Sequence, residues 1–242
     1  MRHHVFILVF LLAGLCLKSQ SYFHVYGGYS SIDAKEWNRS VQAFNYARPW
    51  LTDQLKPLNS GVTAGMGFTG AITRGLFLGP ELQYSRFVSE ASNDPFSVNV
   101  RLNVYRGTLN ADIYPFEFDV DSVEAKTRPF IRIGAGATLY MPKVTLSDSV
   151  VFVGDEVYDP LVWTFHYNIG AGCRISLSNR IELMPMLLYS RNPSVNLEDF
   201  NIALHGTTIP QLTNANLVNN WQFLIGISIK IKKANDEYFE RD

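Results

Sequence analysis

The stretch NNWQFLIGISIKIKK, residues 219–233, alternates in polarity without a break. Trp221, Phe223, Ile225, Ile227, Ile229 and Ile231 share one parity; Gln222, Leu224, Gly226, Ser228, Lys230 and Lys232 share the other. Successive side chains of a strand point to opposite faces, so this segment reads as a β-strand with one wholly apolar face led by aromatics. That face must lie against a protein core or against hydrocarbon. Run length, aromatic placement and the chemistry of the opposite face separate the two.

Seven further runs of period two lie near residues 22–30, 60–72, 74–87, 96–115, 127–141, 162–177 and 180–190. Ile131, Ile133, Ala135, Ala137, Leu139 and Met141 oppose Arg132, Gly134, Gly136, Thr138 and Tyr140. Trp163, Phe165, Tyr167 and Ile169 oppose His166, Asn168 and Gly170. The run 96–115 changes phase: Val98, Val100, Leu102 and Val104 share one parity, and Leu109, Ala111 and Ile113 share the other. A β-bulge near residues 104–107 is the expected cause. A short helix is expected within residues 33–44. Connections alternate short and long, which is the layout of an outer-membrane barrel with tight periplasmic turns and extended outer loops.

Three features favour lipid over a soluble sandwich or a lipocalin-like carrier. Most runs reach the nine to eleven tilted residues that cross a bilayer. Aromatics gather at the ends of the apolar faces, where headgroups would sit. The polar faces are rich in Gly, Thr, Asn and Ser rather than in surface-like Lys and Glu. The fold class expected is all-β: an eight-stranded antiparallel transmembrane barrel. Its interior would hold Glu81, Asp112 and Glu182 with Arg101, Arg132, Arg174 and Lys230, and His24 and His166 among the polar residues between them. Eight strands leave room inside only for side chains, so these charges are expected to pair and plug the lumen.

Residues 1–20 have a basic start at Arg2, an apolar run over residues 5–17 and a polar end, the plan of a secretory signal. The expected division is 1–20 signal peptide, 21–232 barrel and 233–242 polar periplasmic tail. Beyond the signal Cys173 is the only cysteine, which excludes an internal disulfide and a cysteine-based zinc site. A net charge of −1 gives no nucleic-acid footprint. Gly134-Ala135-Gly136 and Gly170-Ala171-Gly172 fall within strands with no following helix, so they are not phosphate-binding loops. No cofactor and no metal site are expected.

The first outer loop carries Trp37, Arg39, Phe44, Tyr46, Arg48 and Trp50. Aromatic residues with arginine are the material of binding hot spots, and equally of a barrel cap. His205 with Ser190 or Ser194 at the outer rim is the one pairing that would suit a lipid-modifying enzyme. The weight of the reading is non-enzymatic. Expected partners are outer-membrane lipid and lipopolysaccharide, and other envelope proteins through the loops.

The strands RPFIRIGAGATLYM and FHYNIGAGCRISLSNRIELMPMLLYS carry a resemblance. Pro129, Phe130, Gly134 and Gly136, then Gly170 and Gly172, then Arg180, Ile181, Glu182 and Leu183 are similar to the pattern of small Bacteroidetes outer-membrane β-barrel proteins, the broad PorT-like group. The resemblance covers most of the chain after the signal. It implies an outer-membrane location and assembly-dependent insertion, and some relatives serve protein secretion. One departure stands out: the chain continues past its last strand as KANDEYFERD instead of ending on a terminal aromatic. The assembly signal is then internal, within residues 221–231, or supplied by Tyr238 and Phe239.

Overall fold

Eight long strands leave backbone donors and acceptors along every edge, and only closure pairs them all. A computed structural model describes residues 21–73, 75–93, 96–115, 126–148, 156–158, 161–196, 198–205 and 215–231, and it shows that closure. The expected signal peptide and tail lie outside the described residues. The strands are β1 (Ser21–Asp33), β2 (Ser60–Thr73), β3 (Leu76–Asn93), β4 (Phe96–Ile113), β5 (Thr127–Asp148), β6 (Val162–Ser176), β7 (Ile181–Asn196) and β8 (Ala215–Ile231). Each is antiparallel to its chain neighbours, and β8 returns to β1 from Ser21↔Ile231 to Asp33↔Asn219. A short strand, Glu156–Tyr158, lies along β5 at residues 144–146.

At one end the described turns are tight. Gly75, at φ 79°, takes the left-handed conformation between β2 and β3 that a side chain would disfavour. Between β6 and β7 the Ser178 hydroxyl accepts the backbone N–H of Arg180 at 3.3 Å and of Ile181 at 3.1 Å. The opposite end carries two helices: α1 (Lys35–Ala47) between β1 and β2, and α2 (Glu198–His205) between β7 and β8. Trp37, Val41 and Phe44 recur at helical spacing on one face of α1, and all three are fully buried. The opposite face holds Arg39, exposed and paired with Glu36 at 2.7 Å.

Polarity inverts along the barrel. Over the part nearer the tight turns, the outward residues are apolar: Phe165 is 80% exposed, Trp163 69%, Leu82 66% and Ile225 52%. The inward residues there are polar, with Asp112, Arg132, Arg174 and Gln222 buried. Outward aromatics Tyr29, Tyr84, Tyr105, Trp163, Tyr189 and Trp221 mark the upper edge of the apolar belt. One outward step beyond it on their strands come Ser31, Arg86, Asn103, Arg191 and Asn219; Val88, Leu161 and Leu217 are the exposed apolar residues on or flanking these strands past that line. Above the belt the interior becomes apolar. Phe87, Val98, Val100, Leu102, Val104, Val144, Val195 and Val218 line it and pack with α1, α2 and Leu51, Leu55 and Leu58.

The expected bulge in residues 104–107 is absent. β4 runs in unbroken register against β3 from Asn93↔Phe96 to Leu76↔Ile113, and against β5 from Phe96↔Asp148 to Ile113↔Ile131. Val98 to Val104 and Arg106 to Asp112 at even positions all point inward. The change of phase in the sequence is a change of surroundings along a regular strand. Register irregularities lie instead between Ala71 and Thr73 and between Asn192 and Val195.

Candidate functional site

Inward positions of neighbouring strands bring the predicted charges together near the tight-turn end. Arg132 is the centre. Its Nε and Nη2 grip the two oxygens of Asp112 at 2.6 and 2.9 Å, and its Nη1 donates to Glu81 at 2.7 Å. Glu81 also accepts the Tyr26 hydroxyl at 2.7 Å and lies 3.4 Å from His24 Nε2. Arg174 reaches Asp112 at 3.3 Å, Thr69 at 3.1 Å and Glu182 at 3.8 Å. Glu182 pairs in turn with Arg128. Tyr22 lies under the Arg174 guanidinium, 4.3 Å from ring centre to Cζ, and accepts a bond from Arg128 at 3.3 Å. Three carboxylates therefore alternate with three guanidinium groups. Each ion meets the opposite charge and hydrogen bonds, the condition under which buried charges are tolerated.

A second tier, mostly of uncharged polar groups, follows. Gln83 donates to Gln222 at 3.0 Å, and Asn168 to Asn110 at 3.2 Å. His166 sits between the hydroxyls of Thr108 at 2.9 Å and Thr138 at 3.0 Å. Asn192 accepts from Tyr140 at 2.9 Å and donates to Thr138 at 3.1 Å. The tier includes one surplus cation, Arg106, whose Nη1 donates to Gln83 at 3.3 Å. The inward glycines belong to this crowding. A Cβ on Gly136 would drive into the carbonyl oxygen of Gly107 on β4, so the position requires glycine.

Two expected placements are corrected. Arg101 is not in the lumen: it is exposed on the outward face of β4, because the strand keeps one parity throughout. Trp37 and Phe44 are not free for binding: they are fully buried, Trp37 meeting Tyr140 at 5.3 Å and Phe200 at 5.9 Å between ring centres. Of the other loop residues, Tyr46 is 90% exposed and Trp50 53%. Arg48 is half-buried over the Phe44 ring at 4.1 Å. Lys230 is half-buried at the tight-turn end of β8. Sequence reasoning missed Tyr22, Tyr26, Arg106 and Arg128, although Arg128 shares the parity of Arg132, and Arg106 that of Asp112.

At the outer end His205 joins neither Ser190, which is buried inside the barrel, nor Ser194, which is exposed at the rim. Its Nε2 lies 3.1 Å from the Ser40 hydroxyl and ties α2 to α1. Burial holds the His205 pKa below its ordinary value, and the Arg48 charge pushes the same way. Ser40 is fully buried, so the pair presents no accessible nucleophile. Among the described residues no group of three or more His, Cys, Asp or Glu side chains is placed to hold a metal ion.

No protein-family model and no curated protein matches the sequence. Solved structures similar in outline include Neisserial surface protein A, at 13% identity over 87% of this chain and 97% of that one, TM-score 0.44. Ail, the attachment invasion locus protein of Yersinia pestis, gives 10% identity over 88% and 99%, TM-score 0.42. The outer membrane protease OmpT from Escherichia coli gives 8% over 88% and 97%, TM-score 0.42. Likeness at this level transfers no residue and no role. The membrane assignment stands on the chain's own exterior. A closed barrel with an apolar belt, an aromatic edge and buried ions is the one strand-built structure that satisfies its backbone in lipid. The chain is a transmembrane β-barrel of the outer membrane.

Proposed function

We propose that this barrel is a non-enzymatic outer-membrane platform, closed to solute passage, that acts through the outer surface of its helical cap. The observation that carries the reading is the two-level filling of the interior. The alternating ions from Arg128 to Glu81 occupy the lower lumen, and the apolar core around Trp37 occupies the mouth. A pore would need a continuous polar path, and apolar side chains of the cap core pack in the mouth. Tyr46 and Trp50, both exposed on the cap, are the residue types that anchor protein interfaces. The test is conductance of the refolded chain in planar bilayers. No unitary steps are expected in the intact protein; stable steps would overturn the closed-lumen reading.

The alternative is an accessory role in an envelope protein-secretion complex of the PorT-like kind. The same exposed aromatics favour it, since a docked subunit would cover them. A photo-reactive residue at Tyr46 in intact cells separates the two. A single stoichiometric adduct with another envelope protein supports the complex; cross-links spread over many species support the free platform.

A further inference from the structure

The lipid-facing wall is not evenly filled. Outward positions of β2 to β6 form a groove of about 570 Å³, within the ~300–1,000 Å³ range of pockets that hold small molecules. Its walls are Met66, Leu82, Tyr84 and Tyr105 on one side and Leu139 and Trp163 on the other. Gly107 and Ala137, paired across β4 and β5, form the floor. A Cβ on Gly107 would meet only Leu82 Cδ2, at 3.7 Å, so nothing inside the barrel demands glycine there. The groove lies at the height of the Tyr84–Tyr105–Leu139–Trp163 row, which is the upper edge of the apolar belt.

Directly above stands a cluster of cations. Arg86 is two residues beyond Tyr84, about 7 Å along the strand. Arg101 and Lys143 are four residues beyond Tyr105 and Leu139, about 14 Å along their strands. Arg101 and Lys143 are also direct cross-strand partners. Like charges in that register repel. Among the described residues no carboxylate lies within 4.0 Å of the Arg86, Arg101 or Lys143 cation. On the neighbouring strand Glu90 is engaged by Asn99, whose Oδ1 accepts the Arg101 Nε at 2.9 Å. Asn99 thereby fixes the guanidinium and leaves its terminal nitrogens for another acceptor.

We propose that this face binds one phosphate-bearing acyl lipid of the outward leaflet, with an acyl chain in the groove and the phosphate between Arg101 and Lys143. The occupant must be amphiphilic, because the groove is apolar and lies in hydrocarbon. It must be anionic, because the apposed cations need a counter-charge, and phosphate matches the guanidinium fork. Arg86, nearer the belt, reaches the same headgroup from below by extending its stem along the wall. The proposal rests on the membrane reading of the exterior and is independent of what the cap does.

Native mass spectrometry of the full chain in detergent micelles tests it, with diphosphorylated lipid A and with phosphatidylethanolamine as probes. The wild-type barrel is expected to retain one lipid A with at least tenfold preference. Arg101→Gln/Lys143→Gln should remove that preference, and Ala137→Leu, which fills the floor, should weaken lipid A retention at least fivefold. Both changes are outward, and retained heat-modifiable migration verifies the fold of each. Arg39→Gln/Arg191→Gln, which removes two cations elsewhere on the outer end, should leave retention unchanged. Equal retention of both lipids, a full-strength adduct in either test variant, or an equal loss in the Arg39/Arg191 control would overturn the proposal. Displacement by millimolar inorganic phosphate alone would identify a simple anion site and overturn it as well.

Discussion

Replacing Arg132 with methionine tests the ion network where it is most concentrated. The side chain is 1% exposed and holds two carboxylates through three bonds. Methionine keeps much of the stem's volume and removes the charge, so the perturbation is electrostatic rather than a cavity. Asp112 keeps only Arg174 at 3.3 Å, and Glu81 keeps Tyr26 and His24. Within the ion chain three buried carboxylates then face two guanidinium groups, while Arg106 stays bonded to Gln83 in the tier above. Removing one partner of a buried pair costs about 3–5 kcal/mol. With an m-value near 3 kcal/mol/M, at the upper end for urea, the unfolding midpoint in lipid vesicles should fall by about 1–1.7 M. Tryptophan fluorescence follows the transition, since Trp163 and Trp221 lie on the lipid face. The companion Glu81→Gln/Arg132→Met removes a carboxylate that has lost its guanidinium and should recover at least ~1 kcal/mol of the loss, because neutral replacement of a buried pair is far cheaper than its rupture. A single variant within ~1 kcal/mol of wild type, or a double variant less stable than the single, would refute the reasoning.

Three more outcomes are expected. Ile227→Arg, near the middle of the belt, should cost about 2–4 kcal/mol in the same assay, whereas Asn103→Arg beyond the aromatic edge should cost under ~1 kcal/mol; equal costs would mean the belt is misplaced. Gly136→Ala should abolish the heat-modifiable folded form, since the new methyl meets the backbone of β4, while Gly107→Ala should fold normally. The α1–α2 contact should weaken on acidification. The His205 pKa is lowered in the folded cap, so the unfolded cap binds more protons; cap stability is full above about pH 6.5 and falls as pH drops toward the folded value. Hydrogen exchange over residues 35–47, corrected for its intrinsic pH dependence, should report the loss, and His205→Gln should flatten it. Constant protection between pH 7.5 and 5 would count against the role given to His205.

The barrel was legible because its strands state their facing in parity alone. Ile225, Ile227 and Ile229 on one side, with Arg132, Arg174 and Glu182 on the inward side of neighbouring strands, require no knowledge of partners. Strand ends were less legible. β5 runs to Asp148 and β8 begins at Ala215, well outside the apolar runs, because pairing outlasts the lipid. The cap was least legible. A short helix was legible within residues 33–44, but Trp37 and Phe44 on it look like exposed hot-spot residues as long as nothing covers them; their burial follows from α2 and the inward valines, which are brought there only by closure. Helix α2 is eight residues long, too short for periodicity to announce it.

β4 shows most clearly why one rule could not serve the whole strand. Its even positions are Val98, Val100, Leu102 and Val104, then Arg106, Thr108, Asn110 and Asp112, and all eight point inward. Its odd positions run Asn99, Arg101 and Asn103, then Tyr105, Leu109, Ala111 and Ile113, and all point outward. The first half is written for water outside and an apolar core within; the second is written for hydrocarbon outside and polar groups within. A bulge would also exchange the faces, but it would break the register with β3 and β5, and that register is continuous. The exchange falls between Asn103 and Tyr105, next to Tyr84 and Arg86 on β3, and β5 makes the same passage between Met141 and Lys143. Three adjacent strands change character within one register step of one another without changing geometry. The solvent changes there, and the headgroup boundary is thus encoded in the chain as a polarity exchange carried by an undistorted sheet.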